Sequence, residues 1–592
     1  MTAAGHAAPI DPVDPAAPTP LSIERLAIRY PGRTVAAVEE VTVAVRAGER
    51  VGVAGRTGAG KSTLALAAAG FIPRVVRARL AGRVAIDGVD TSTAAPAALL
   101  GRVGIVFATP ANQLSASKLT VREELAFGLE NLGVPRTEMD PRIDSTLERL
   151  GITHLADREP FALSGGEQQR VAIASIIAMG TGVLVLDEPT AQLDPAGTVA
   201  VAELLGELAQ AGAAVLCVEH DPVVLGRMER CLVLDAGRPI TLDVPGVALA
   251  LAESVVGLLA PTLVRLAAAA GIDPALAFDE PAMATALLVG MASDGHAGVH
   301  AGLTPAATDS TDPVWMSGRE RPPVRVAIED LVYRYPTGVE AVRGVTLSIE
   351  PGEAVAILGQ NGSGKTTLAK HLNGLLRAAE GRVLLGGEPT DGRSVAQLAA
   401  TVGFVFQNPD EQLFERSVER EVGFGPRNLG MPAATVSDLV AGSLTAVGLL
   451  DQRATNPYDL DLSRRKLVAL AGVLAMDPAV LVLDEPTTGQ DADGVALVGA
   501  VVEAYRRVGR SVVAITHDME FAATHFGRIV VMRRGEIVAD GPPAEVFAPA
   551  NRDLLASTGL TPPPAARIAA RLRLTTVPLD AAGLLLALAR GR

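Results

Sequence analysis

The chain has 592 residues, 48% of them hydrophobic, and a formal net charge of −14. That length holds two domains of ordinary size with full cores, and the acidic balance argues against nucleic acid, whose partners carry a basic footprint. No run resembles a membrane span: the nearest, residues 247–271, is broken by Glu253, Pro261 and Arg265 and reads as Ala/Leu-rich helices.

Residues 1–20 are rich in Ala and Pro and lack the basic-then-apolar order of a secretory signal, so a disordered tail is expected. From residue 21 to about 53 apolar and polar residues alternate, with turn signals at Pro31-Gly32 and Ala47-Gly48, which predicts a small β-layer. Tyr30 lies in that layer, where it could stack on a nucleotide base or pack inward; Tyr335 is its later counterpart. A strand over residues 49–54 leads into Gly55-Arg56-Thr57-Gly58-Ala59-Gly60-Lys61-Ser62, which fits GxxxxGK[ST] and opens a Leu/Ala-rich helix. Such glycines let backbone N–H groups converge on phosphate oxygens, the helix start adds a positive dipole end, and Lys61 neutralises the terminal phosphates. Ser62 is a candidate Mg²⁺ ligand, and Thr63 a further nucleotide contact.

Residues 120–160 turn helical, and strands then alternate with helices, which implies an α/β fold with a mainly parallel sheet. Leu184-Val185-Leu186-Asp187-Glu188 is an apolar strand delivering two adjacent carboxylates. Asp187 suits Mg²⁺, a hard ion that takes oxygen ligands, and Glu188 suits polarising a water in line with a γ-phosphate. His220, after a further apolar strand, fits a γ-phosphate contact. Cys217 and Cys231 sit in apolar strands and read as buried free thiols.

The whole order then recurs. Gly359-Gln360-Asn361-Gly362-Ser363-Gly364-Lys365-Thr366, followed by Thr367, repeats the phosphate loop at an offset of 304 (359 − 55). Asp484-Glu485 and His517 repeat the acids and the histidine at an offset of 297 (484 − 187). Gly257-Leu258, Pro261 and Arg265 return as Gly559-Leu560, Pro563 and Arg567. A period this long is a duplicated domain rather than a solenoid. The expected layout is a first domain over 21–245 with a helical extension over 246–292, a linker over 293–323, a second domain over 324–547 and its extension over 548–592.

Leu163-Ser164-Gly165-Gly166-Glu167-Gln168-Gln169-Arg170 opens an apolar helix 23 residues before Asp187 (187 − 164). This resembles the signature motif of ABC ATPases, and with the other motifs the likeness covers almost the whole chain. It implies two tandem P-loop ABC ATPase domains, each with a β-subdomain, a mainly parallel core sheet and a helical subdomain, using ATP and Mg²⁺. It also implies a head-to-tail sandwich in which Ser164, Gly165 and Gly166 cap ATP held by the other half. A narrower likeness lies in Val405-Phe406-Gln407-Asn408-Pro409-Asp410-Glu411-Gln412-Leu413-Phe414, which looks like the glutamine loop of energy-coupling-factor ATPases. That likeness implies uptake of a vitamin or transition-metal ion with integral membrane partners, a transmembrane coupling component and a substrate-binding component, at the cytoplasmic face of the membrane. It places Gln412 and Gln113 on the surface that receives the transmembrane partner, and Gln407 as a Mg²⁺ and γ-phosphate ligand. The first half keeps Pro110, Asn112 and Gln113 but has Ala111 at the acidic position.

The halves also differ elsewhere. Ala108 stands opposite Gln407, and without a gap Leu460-Asp461-Leu462-Ser463-Arg464 stands opposite Leu163-Ser164-Gly165-Gly166-Glu167; a shifted register on Leu462-Ser463 remains open. In a head-to-tail sandwich these losses fall in one composite site, so the expectation is one degenerate site (Lys61, Asp187, Glu188) and one hydrolytic site (Lys365, Asp484, Glu485, His517). The rivals are another ABC importer, disfavoured by Pro409-Asp410-Glu411-Gln412; a soluble ABC protein on ribosomes or DNA, disfavoured by charge; and a non-hydrolysing nucleotide binder, opposed by the complete second site.

Overall fold

A computed structural model describes residues 19–292 and 323–590. The expected tail and linker lie almost wholly outside the described residues. The chain divides into two compact units, Met1–Met283 and Ala284–Arg592.

In the first unit the alternating segment forms a four-stranded antiparallel layer, in the order Val38–Val45, Leu21–Arg29, Arg79–Ile86 and Val89–Asp90. Beneath it lies a six-stranded sheet in the order Arg238–Asp243, Arg230–Asp235, Arg50–Gly55, Ala214–Val218, Val183–Asp187 and Val103–Val106. Only the Arg238–Asp243 edge strand is antiparallel. Val183–Asp187 and Ala214–Val218 are buried at every position, as central parallel strands covered on both faces must be. One core lies between the two sheets, around Ile23, Val51 and Leu64, and the other joins the central sheet to the helices, around Leu125, Leu147 and Ile173. Each such side chain contributes roughly 1.5–3 kcal/mol of burial.

The second unit repeats this plan. Its layer runs Glu340–Ile349, Val326–Arg334, Glu380–Leu385 and Glu388–Pro389, and its main sheet Val402–Val405, Val480–Asp484, Ser511–Ile515, Ala354–Leu358, Arg528–Arg533 and Glu536–Gly541. Both units are therefore α/β with a small β-layer, a mainly parallel sheet and a helical region, the latter holding Val121–Asn131 and Arg136–Arg149 in one and Val418–Asn428 and Ala433–Ala446 in the other.

Residues 247–271 form two helices, Pro245–Val256 and Thr262–Ala269, rather than a span. Among the described residues no helix is long and apolar enough to cross a membrane. Cys217 and Cys231 are buried free thiols.

Candidate functional site

Each phosphate loop leaves a buried strand end and enters a helix at a left-handed glycine, Gly60 (φ 95°) or Gly364 (φ 101°). A Cβ there would lie 2.1 Å from the Ala37 carbonyl oxygen or 2.2 Å from that of Ala341, so only glycine fits. Gly55, Gly58, Gly359 and Gly362 also have positive φ. Lys61 Nζ donates to the carbonyls of Gly55 (2.9 Å) and Arg56 (3.0 Å), and Lys365 Nζ to those of Gly359 (2.7 Å) and Gln360 (2.9 Å). The two ammonium groups thus lie across the loops that carry Asn361 and Ser363 in the second unit and Thr57 in the first. Tyr30 Oη lies 3.2 Å from Thr63 Oγ1, and Tyr335 Oη 3.0 Å from Thr367 Oγ1. The tyrosines are therefore hydrogen-bonded to the helix that follows each loop, and their rings are half-buried.

The acids come to the loops as expected. Ser62 Oγ donates to Asp187 Oδ1 and Thr366 Oγ1 to Asp484 Oδ1, both at 3.2 Å. Burial pushes both aspartates up to about 6, with Glu188 or Glu485 beside them adding to the rise. One hydroxyl and one buried carboxylate destabilised by a neighbouring anion form a donor pair that fits Mg²⁺. When bound, the ion would neutralise this charge and polarise the phosphates.

The acid–histidine pairs differ between the units. His517 Nδ1 lies 2.8 Å from Glu485 Oε2, whereas His220 Nε2 lies 3.3 Å from Glu188 Oε1. The Glu485 side chain is 7% exposed and that of Glu188 21%. Burial pushes the Glu485 carboxyl up, but His517 together with Lys365 and Lys466 outweighs it, so the group lies below its ordinary value; burial pulls His517 down, but Glu485 holds it above its own. Before His220 stands Glu219, where the second unit has Thr516. Burial, with Asp221 adding, raises Glu219 to about 8, and it accepts from Thr190 Oγ1 and from the His220 N–H.

The register of the damaged signature is fixed by its cap. Ser164 caps the helix Gly165–Met179, accepting from Glu167 N, and Asp461 caps Leu462–Leu474, accepting from Arg464 N at 2.9 Å. Asp461 thus replaces Ser164, and Leu462 and Ser463 replace Gly165 and Gly166. The surroundings have changed in step. A Cβ at Gly165 would lie 2.3 Å from Gln192 Oε1, whereas the residue facing Leu462 is Gly489, whose own Cβ would clear Leu462 Cδ2 by 3.6 Å. Arg465 Nη1 pairs with Asp410 Oδ1 at 2.6 Å, where the first unit has Gln168 and Ala111.

Two expectations need correcting. Gln113 and Gln412 do not present their amides outward. Gln113 Oε1 accepts from Phe107 N (3.1 Å) while its Nε2 donates to Ala172 O (2.7 Å); Gln412 does the same with Phe406 N (3.4 Å) and Ala469 O (3.2 Å). Both are half-buried ties between the loop and the signature helix. Gln407 and Ala108 occupy the equivalent position, one residue after these phenylalanines, and Gln407 is exposed there.

Sequence reasoning also missed Gln490, whose amide bonds Ser463 twice (2.6 and 3.1 Å), and Lys466, buried with its Nζ 3.1 Å from Glu485 O. Ser463, Arg464 and Arg465 stand just before Lys466 on the same helix, so one more polar residue there did not mark a buried contact.

Comparisons with known proteins identify the family. The sequence model described as ABC transporter matches residues 38–191 and 342–488. A Methanosarcina acetivorans protein provisionally named as an ABC transporter ATP-binding protein is 40% identical over 562 residues, 93% of this chain and 90% of its own length. A Streptomyces avermitilis protein with the same kind of name is 36% identical over 557 residues, 90% of this chain and 97% of its own. Among solved structures, cbiO1 of Clostridium perfringens, described as part of the ABC transporter complex cbiONQ, aligns with 39% of this chain and 93% of its own at 36% identity, with a TM-score of 0.36. The chain belongs to the ABC transporter family, as one polypeptide carrying two of its ATP-hydrolysing domains.

Proposed function

We propose that this chain is the ATPase subunit of an energy-coupling-factor type importer, in which the two domains pair head to tail and hydrolysis is carried by the second phosphate loop. In this reading Lys365, Thr366, Gln407, Asp484, Glu485 and His517 work with Ser164-Gly165-Gly166. Lys61, Ser62, Asp187, Glu188 and His220 face the altered helix start at Asp461-Leu462 and hold ATP with little turnover. The observation that carries the assignment is the Glu485–His517 pair, closer than Glu188–His220 and with its carboxylate more deeply buried. A general base needs such fixed geometry more than it needs basicity.

The import reading rests on Pro409-Asp410-Glu411-Gln412 beside Gln407. Next to that turn, Phe414 and Phe424 stack edge to face at 4.6 Å with 56% and 38% of their surfaces exposed, an apolar surface suited to a membrane-embedded partner at the cytoplasmic face. The solute is a vitamin or a transition-metal ion, chosen by a separate subunit. Affinity purification from native membranes tests the reading: co-purification of integral coupling and substrate-binding proteins supports it, and recovery of ribosomes or DNA overturns it.

A further inference from the structure

Lys466 is 7% exposed, and its Nζ donates at 3.1 Å to the backbone carbonyl of Glu485. It stands on the helix Leu462–Leu474, five residues beyond the Asp461 cap, in the place that Gln169 holds in the first unit. Gln169 is also buried but sends its amide elsewhere, to Phe107 O at 3.4 Å. The Glu188 carbonyl instead accepts from Ala191 N at 3.2 Å, within its own turn. The two units therefore hold their acids by different means.

Both acids sit at φ 49°, in the left-handed region that residues with a Cβ rarely adopt. Such a conformation persists only when its surroundings over-determine it. The Glu485 N–H is tied to Ile515 O at 2.8 Å, and Lys466 ties the other end of the same residue. With both backbone groups held, the side chain has one remaining task, its contact with His517. The helix carrying Lys466 is held in turn, by the two Ser463–Gln490 bonds and by Arg465–Asp410. Burial pulls the Lys466 ammonium down to about 8, opposed by Glu485 and Asp484, so the side chain brings positive charge to the rear of the acid pair.

We propose that Lys466 is a positioning residue for ATP hydrolysis, fixing the backbone of Glu485 from behind and placing a positive charge where the first unit has Gln169. The helix start that lost its glycines thereby serves its own domain's acid. The inference rests on the reading of Glu485 as the hydrolytic acid.

The test is steady-state ATPase activity of the assembled transporter carrying Lys466→Gln, with Lys466→Met beside it. Glutamine already fills this position in the first unit, so the fold accommodates it. Lys466→Gln should lower kcat about tenfold or more, the scale of a misplaced catalytic group, while KM for ATP and the bound nucleotide count stay within about twofold. Lys466→Met should lower kcat at least as far. A kcat within twofold of the unchanged protein for Lys466→Gln overturns the proposal, and so does a parallel loss of kcat and nucleotide binding, which marks a merely structural lysine. Glu485→Gln is measured alongside. If that variant keeps turning over, the assignment of Glu485 fails; if it is inactive while Lys466→Gln is normal, only the role of Lys466 falls.

Discussion

Arg56, the second residue of the first phosphate loop, donates from Nη2 to the carbonyl of Gly257 at 2.8 Å. The second unit places the equivalent residues together again: a Cβ on Gly559 would lie 2.0 Å from Gln360 Nε2. Each C-terminal extension therefore rests on the phosphate loop of its own unit, through the Gly-Leu turn that the sequence repeats. Gly559 has φ 64°, so Gly559→Ala strains the turn by about 1 kcal/mol and forces Gln360 aside. We expect a severalfold weaker nucleotide affinity at the second loop, read by titration with a fluorescent ATP analogue. Gly257→Ala, whose Cβ would stay 3.5 Å from Arg56, should have the smaller effect.

Hydrolysis should depend on Glu485 and far less on Glu188. Removing one positioned catalytic group costs on the order of a hundredfold to a thousandfold in rate. Glu485→Gln should abolish steady-state turnover in the assembled transporter, and Glu188→Gln should keep most of it. Equal losses would mean that both sites fire.

Gln412→Ala should act first on stability. It removes the acceptor of Phe406 N and the donor to Ala469 O, each worth about 1 kcal/mol, so the melting temperature of the isolated chain should fall by a few degrees. Gln113→Ala should do the same in the first unit. Unchanged melting together with lost uptake would restore the surface role that the motif suggested.

Glu219 gives the first unit a pH dependence. Its folded value of about 8 lies above its ordinary 4.5. Below 4.5 both folded and unfolded chains are protonated and the group is neutral in effect. As pH rises toward 8 the unfolded chain ionises while the folded one resists, so stability is lost across that window. Glu219→Gln keeps an acceptor for Thr190 and removes this cost. Its gain in stability over the unchanged protein should be about 1 kcal/mol at pH 5.5 and grow to about 4 kcal/mol at pH 8. A gain that does not change with pH would refute the assignment.

The phosphate loops, the acid strands and the duplication were legible because each is a local pattern whose chemistry demands fixed spacing. The register at Asp461 was open in the sequence, since either Leu460-Asp461 or Leu462-Ser463 can stand opposite Leu163-Ser164; the N-cap bond to Arg464 decides it. Gln412 was misread because its partner, Ala469, lies 57 positions along the chain. Lys466 escaped because nothing in Leu462–Leu474 says which strand end its ammonium meets. What is local in three dimensions but distant along the chain leaves no periodicity to find.

The Ser463–Gln490 clasp has an evolutionary consequence. Returning serine and two glycines to positions 461–463 would delete the Ser463 hydroxyl and leave Gln490, 6% exposed, with an unanswered oxygen, at about 1–3 kcal/mol. Glycine at 462 would also open a gap against Gly489, where no glutamine waits to fill it. Glycine at 462 or 463 alone is thus destabilising while the surroundings stay as they are. The two halves began as copies, and this epistasis now works as a ratchet that keeps them from becoming interchangeable again.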